Sequence, residues 1–188
     1  LRTSRGLGDV YKRQLFDLGL DATSIVGRTP WCIHPAEQVS DVPVVGGTKT
    51  PTLSKIKGAQ PDLVVMDRDE NPKSVHDWCV ANGLPTFVCD VRHPRDVPLM
   101  LRELGQAVNR SEAAEVHARA IEAMLRRAPD TNGRTALPLI WHRPLMAANG
   151  TTYAGNMLAC LGFNVPNIEP DGTGYPEVSP EIILQHGV

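Results

Sequence analysis

Between Asp62 and Cys89 the chain reads as a nearly continuous apolar strand, a helix and a second apolar strand, and that alternation limits the fold more than any other feature. Asp62-Leu63-Val64-Val65-Met66 has no polar residue after its first. A helical pattern from Pro72 to Ala81 puts Val75, Trp78 and Cys79 on one side and stops at Gly83. Pro85-Thr86-Phe87-Val88-Cys89 follows. A strand that is apolar at consecutive positions has both faces covered, and strands alternating with helices give a parallel sheet with helices on both sides.

The same grammar extends in both directions. Leu15-Phe16-Asp17-Leu18 before Gly19 reads as the end of an apolar helix, Ser24-Ile25-Val26 and Pro43-Val44-Val45 as short strands, and Leu53 to Ala59 as a short helix. Pro98 to Val108 predicts a helix. Asn109 with Glu112 predicts a capping pair that opens a longer one, Ser111 to Arg127. On that longer helix Ala113, Val116, Ala120, Ile121, Met124 and Leu125 form an apolar stripe, and Glu115/Arg119 and Glu122/Arg126 are i,i+4 pairs. At ~1.5 Å per residue it is a rod of roughly 26 Å. The polar stretch from Pro129 to Arg134 ends it.

Beyond lies a second strand–helix stretch. Ala136 to Trp141 reads as a strand, Met146-Ala147-Ala148 as its continuation after a turn, and Thr151 or Thr152 caps a helix that ends at Gly162. Phe163-Asn164-Val165 reads as a strand and Ser179 to His186 as a last helix with Gly187 behind it. Thr52-Leu53-Ser54-Lys55-Ile56 and Ser179-Pro180-Glu181-Ile182-Ile183 form a faint internal echo. The expected architecture is α/β: two Rossmann-like lobes with parallel sheets, joined by one long backbone helix, the second lobe incomplete. The expected boundaries are 15–108 for the first lobe, with its first strand missing, 109–128 for the helix and 129–188 for the second lobe.

Residues 1–14 are set apart. Asp9-Val10-Tyr11-Lys12-Arg13-Gln14 back-translates to GAT GTG TAT AAG AGA CAG, the end of a transposase adapter used in sequencing libraries. The segment is therefore expected to be non-native and carries no weight in the fold.

Composition removes several function classes. A formal charge of −2 leaves no basic footprint for nucleic acid. Four cysteines with no Cys-x-x-Cys suggest neither a zinc ribbon nor a disulfide framework. No apolar run reaches the ~18 residues of a membrane span.

Candidate site residues lie in loops after the strands, where parallel α/β sheets hold ligands. Gly27-Arg28-Thr29-Pro30-Trp31-Cys32-Ile33-His34-Pro35 puts an aromatic, a thiol and an imidazole within four residues. Trp31 is expected to line a cleft, and Cys32 and His34 are candidate soft-metal ligands. The competing reading is that Trp31 and Cys32 pack and Pro35 turns the chain. Gly47 and Thr48, in a glycine turn without Walker or dinucleotide spacing, would bring backbone to a ligand. Arg68 and Glu70 follow the Leu63–Met66 strand as polar contacts or as helix N-terminal acids. In the second half Trp141, His142 and Arg143 end a strand, Tyr153 starts a helix and Tyr175 precedes the last one. His142 lacks the nucleophile and orienting acid that catalysis would need, so no catalytic residue is assigned.

In order and spacing, Gly27 to Pro35, Val45-Gly46-Gly47-Thr48-Lys49, Pro61-Asp62-Leu63-Val64-Val65, Ile140-Trp141-His142-Arg143-Pro144 and Tyr175-Pro176-Glu177-Val178-Ser179 resemble the helical-backbone metal receptors. These are TroA-like substrate-binding proteins of ABC transporters, related to cobalamin- and ferric-siderophore-binding proteins. The likeness runs from about residue 15 to the end. It implies a non-enzymatic monomer that holds a small metal chelate (cobalamin, a ferric siderophore or haem) between two lobes and delivers it to an ABC permease. It implies no covalent cofactor, no membrane-spanning segment and a periplasmic or cell-surface lipoprotein location. By position, Trp31 and Tyr175 match aromatic cleft residues, and Trp141 to Arg143 match a cleft loop of the second lobe. Competing readings are a cytoplasmic orphan receptor for a metal or cofactor, or a nitrogenase-like or chelatase-like enzyme on a similar frame.

Overall fold

The computed structural model describes residues 3–6, 9–127, 131, 133–168, 172 and 174–187. The chain forms two compact units: residues 1–90 with 100–116, and residues 91–99 with 117–188.

In the first unit β1 (Thr3–Gly6) runs parallel to β2 (Leu63–Asp67), which runs parallel to β3 (Thr86–Cys89), in the order β1-β2-β3. Between them in sequence come α1 (Asp9–Asp17), α2 (Ala36–Val39), α3 (Leu53–Gly58) and α4 (Lys73–Ala81). β1 and the start of α1 thus fall within residues 1–14. A parallel ladder is made by backbone groups, so a tetrapeptide without apolar periodicity can still occupy the edge of β2. Val64 and Met66 on one face of β2 join Val45, Ile56, Val75 and Cys79 in a core, with Leu53, Trp78 and Leu84 packed against it. Val65, which points the other way, is equally buried. Covering on both faces is what the apolar run at 62–66 demands. Gly83, which closes α4, has φ +68°, the left-handed conformation glycine adopts at lowest cost.

Two expected strands are reduced here to bridge pairing. Ser24 sits in a turn whose N–H and hydroxyl both reach Asp21 Oδ1, and the parallel contact forms a few residues later, Arg28 with Val44.

A 3-10 turn, Pro94–Asp96, leads into α5 (Val97–Ala107), and α6 follows at Ser111–Leu125. The expected capping pair is not formed. Asn109, at φ +55°, is left-handed, and Arg110 N donates to Gly105 O, so these residues close α5. Arg110 O then accepts from Ala114 N as the first bond of α6.

The stripe on α6 is also corrected. Val116 and Met124 are 68% and 64% exposed, while Ala114 and Ala118 are fully buried and Ile121 and Leu125 half-buried. Positions 114, 118, 121 and 125 have true helical spacing, and small side chains allow close approach: a Cβ on Gly105 would lie 2.3 Å from that of Ala114. Glu115 bonds back to Arg102 of α5, Nε to Oε2 2.6 Å. Part of the stretch from Pro129 to Arg134 (129, 130 and 132) lies outside the described residues.

The second unit holds β4 (Leu139–His142) and β5 (Leu145–Ala147), an antiparallel hairpin, then α7 (Tyr153–Cys160) and α8 (Pro180–Gln185). Parallel pairing in this unit is confined to the bridge Thr135–Asn164 among the described residues. Ala147, Ile168 and Val178 form a small core against Leu137, Leu145, Ile182 and Ile183. Thr152, rather than Thr151, caps α7 by accepting from Gly155 N at 3.1 Å, and Ser179 caps α8 from Ile182 N at 3.3 Å. The helices α3 and α8, from the two echoing segments, are equal in length. Among the described residues no helix is long and apolar enough to cross a membrane.

Candidate functional site

At the carboxyl end of β2 the chain bends because Asp67 Oδ1 accepts from the N–H groups of Asp69 and Glu70, both at 2.8 Å. Buried Asn71 fixes this turn to another. Its Oδ1 accepts from Asp67 N at 2.8 Å, and its Nδ2 donates to Thr48 O at 2.8 Å. Thr48 Oγ1 reaches Glu70 Oε2 at 3.4 Å, and Lys49 Nζ donates to Asp69 O at 2.5 Å. Asp69 and Glu70 thus belong to the turn and not to the first turn of α4, which contains no acid. Gly46 is required where it stands: at φ +108° a Cβ would lie 2.7 Å from Thr52 N.

Trp31 leans on the same turn. A Cβ on Gly47 would come within 3.0 Å of Cζ3, yet the indole remains 60% exposed. Trp31, Gly47, Thr48 and Glu70, far apart in sequence, are therefore gathered at one place. Arg68 pairs with Asp90 just past β3, beside an open hollow of about 560 Å³ whose walls include Asn71, Lys73, His76 and Val88.

Cys32 and His34 behave differently. Cys32 is 3% exposed, with Sγ 3.2 Å from Thr29 Oγ1, whereas His34 is exposed. The thiol is turned into the protein, so the expected ligand pair is not assembled on one surface. Among the described residues no three His, Cys, Asp or Glu side chains come together as a metal site. Arg28 holds this loop, donating from Nε to Val42 O at 3.0 Å and from Nη1 to Cys32 O at 3.3 Å.

In the second unit β5 has a neighbour on each side. Trp141 of β4 lies opposite Met146, and Met146 bridges to Glu177. Residues directly opposite in antiparallel pairs share a face, so Trp141, Met146 and Glu177 form one row. The burial of 174–178 alternates, with Gly174, Pro176 and Val178 inside and Tyr175 and Glu177 outside. Tyr175 therefore joins that face. Trp141 is 63% exposed, and His142 and Arg143 are exposed at the hairpin end. The Trp-bearing segments of both units end in a cis prolyl bond, His34–Pro35 and Arg143–Pro144.

Tyr153 opens α7 and is exposed. Burial, and second the nearby Cys160, raise its pKa, so at neutral pH it is an uncharged phenol able to donate. Its helix is set by Asn149, 1% exposed. Asn149 Oδ1 accepts from the N–H and hydroxyl of Thr151, its Nδ2 donates to Ile168 O at 3.0 Å, and its backbone N–H donates to Gly174 O. Asn149 thus positions both the start of α7 and the segment bearing Tyr175.

Sequence reasoning missed Asn71 and Asn149 as organisers. The available signal was an amide residue just after a strand and just before a helix, where Asn bonds backbone more readily than it packs.

A family model described as periplasmic binding protein matches residues 12–186. Similar solved structures include the periplasmic heme-binding protein RhuT from Roseiflexus in apo form, at 21% identity and a TM-score of 0.80, covering 97% of this chain and 72% of that one. The periplasmic vitamin B12 binding protein BtuF of Vibrio cholerae is 16% identical, with a TM-score of 0.82 over 98% of this chain and 72% of its own. An ABC transporter substrate-binding protein from Listeria monocytogenes is 16% identical, with a TM-score of 0.79 over 97% and 71%. No curated protein sequence matches.

Proposed function

The chain belongs to the periplasmic binding protein family, a family of binding proteins rather than enzymes, and from that premise we propose that it is the substrate-binding component of an ABC importer. Its ligand is a metal-containing small molecule: a corrinoid, a ferric siderophore or haem. The observation that carries this reading is the pair of largely exposed indoles, one in each unit. Trp31 sits on the turn of Gly47, and Trp141 shares a face with Tyr175 and Glu177. Exposing a large aromatic forfeits about 1.5–3 kcal/mol of burial, and an aromatic surface beside fixed polar groups is how proteins bind a rigid, partly apolar ligand.

Trp31, Gly47, Thr48, Arg68 and Glu70 are the contact surface of the first unit in this reading, and Trp141, His142, Arg143, Tyr153 and Tyr175 that of the second. The lobes are residues 15–108 and 129–188, with α6 as the connecting helix. The metal stays within its chelate and is not bound by protein side chains. The protein works as a monomer in the periplasm or at the cell surface and hands its ligand to a permease.

The test is to titrate haemin, cobalamin and ferric chelates into the folded protein while following tryptophan fluorescence. Saturable quenching by one class is expected. Absence of any response in a protein with native circular dichroism would end the proposal.

A further inference from the structure

Trp31 stands at the third position of a four-residue turn, Thr29 to Cys32, closed by Cys32 N donating to Thr29 O at 3.3 Å. Pro30 at the second position has its φ fixed by its ring, which suits that place in a turn. The turn is tied from within as well. Thr29 is fully buried, and its hydroxyl shares a hydrogen bond with the Cys32 thiol, Oγ1 to Sγ 3.2 Å. The indole itself is 60% exposed, and beyond its turn it rests on Gly47.

Both supports run back to Arg28. Its guanidinium donates from Nη1 to the carbonyls at the two ends of the turn, Thr29 O at 3.4 Å and Cys32 O at 3.3 Å, and from Nε to Val42 O at 3.0 Å. Its backbone pairs with the segment that leads to Gly47. Arg28 N donates to Pro43 O and Val45 N donates to Arg28 O, both at 2.9 Å. The turn that carries the ring and the glycine the ring rests on are therefore fixed to one residue. A planar guanidinium reaches carbonyls in several directions at once, and its charge strengthens each bond; an ammonium offers a single nitrogen.

We propose that Arg28 is a positioning residue for ligand capture, ordering the Trp31 indole before the ligand arrives. This rests on the reading of Trp31 as a ligand contact. Every side chain immobilised on binding weakens the complex, and a side chain ordered beforehand avoids that loss. Cys32 acts in the same device from inside the turn, which gives its buried thiol a use other than metal ligation.

The test labels the whole chain with fluorotryptophan and reads its three indoles by fluorine NMR, the Trp31 line being assigned with Trp31→Phe. In the ligand-free protein Arg28→Met should narrow the Trp31 line and move it to its position in a synthetic peptide of residues 27–35. The Trp78 and Trp141 lines should stay in place. Arg28→Lys, which keeps the charge without the fork, should give an intermediate shift. Affinity for haemin should fall about fivefold in Arg28→Met. An unchanged Trp31 line overturns the proposal, and so does a displaced line with unchanged haemin affinity. A shift that the Trp78 line shares in both variants marks a general structural role and overturns it too. Ring order is read without ligand, so it still decides the role of Arg28 if haemin fails to bind the unaltered protein. That failure would count against the proposed ligand class alone.

Discussion

The Trp31 ring rests on Gly47, so closely that a Cβ at position 47 would come within 3.0 Å of Cζ3 and 3.1 Å of Cη2. Gly47→Ala therefore has one main route of relief, which is to move an indole that is already largely exposed. Stability should change by less than about 1 kcal/mol, because little buried packing is lost. Ligand affinity should fall about fivefold, ~1 kcal/mol, if Trp31 is a contact. Equilibrium titration beside urea denaturation separates the two. Unchanged affinity with a shifted Trp31 emission would remove Trp31 from the site.

The contact of α5 with α6 should be far less forgiving. At Gly105 the new methyl would meet the Ala114 Cβ at 2.3 Å and Arg110 O at 3.1 Å, and both neighbours are held by helix geometry. Gly105→Ala should cost about 1–3 kcal/mol of overpacking, even after the ~1 kcal/mol that alanine gains in a helix. Ala114→Gly in the same chain should recover part of it, with a coupling of about 1 kcal/mol. Strict additivity in denaturation midpoints would show that the two helices do not meet there.

Cys89 gives the fold a pH dependence of known sign. Burial first, and the Asp67 carboxylate second, push its thiol from 9.0 up to about 12. The folded state therefore keeps a proton that the unfolded state gives up above pH 9. This stabilisation is complete below pH 9 and is lost as pH rises towards 12. Cys89→Ala should flatten the alkaline limb of stability against pH, measured by chemical denaturation between pH 8 and about 11. An equally steep limb in the variant would assign the effect to other groups.

Much of this fold was legible because its signals are local. Leu63–Met66 has no alternative to burial, Gly83 ends a helix, and Thr152 and Ser179 cap helices from their own sequence neighbourhoods. The face of α6 was not legible. Apolarity ranks Val116 and Met124 above alanine, but the buried positions are Ala114 and Ala118. What decides is the small size needed to approach Gly105, a residue of another helix. Asn109 misled for a related reason, since an amide can cap the start of one helix or turn left-handed to end the one before. For the candidate site, the sequence supplied Trp31, Gly47, Thr48 and Glu70 but not their convergence. That depends on Asn71 reaching back to Thr48 O and on Thr48 meeting Glu70, contacts between separate turns with no periodic signature.

The three tryptophans divide in a way that makes ligand capture measurable residue by residue. Trp78 packs against the core of the first unit, whereas Trp31 and Trp141 are 60% and 63% exposed. Bound haem or corrinoid should quench the exposed indoles more strongly than Trp78. Trp31→Phe and Trp141→Phe should each remove a share of the quenching amplitude and weaken binding by about tenfold, ~1.4 kcal/mol, because phenylalanine keeps a ring but loses area and the N–H donor. The double variant, in which only Trp78 remains, should show the smallest quenching at saturating ligand. Full amplitude and affinity in that variant would mean that the ligand sits away from both indoles, and the aromatic surfaces of the two units would then need another purpose.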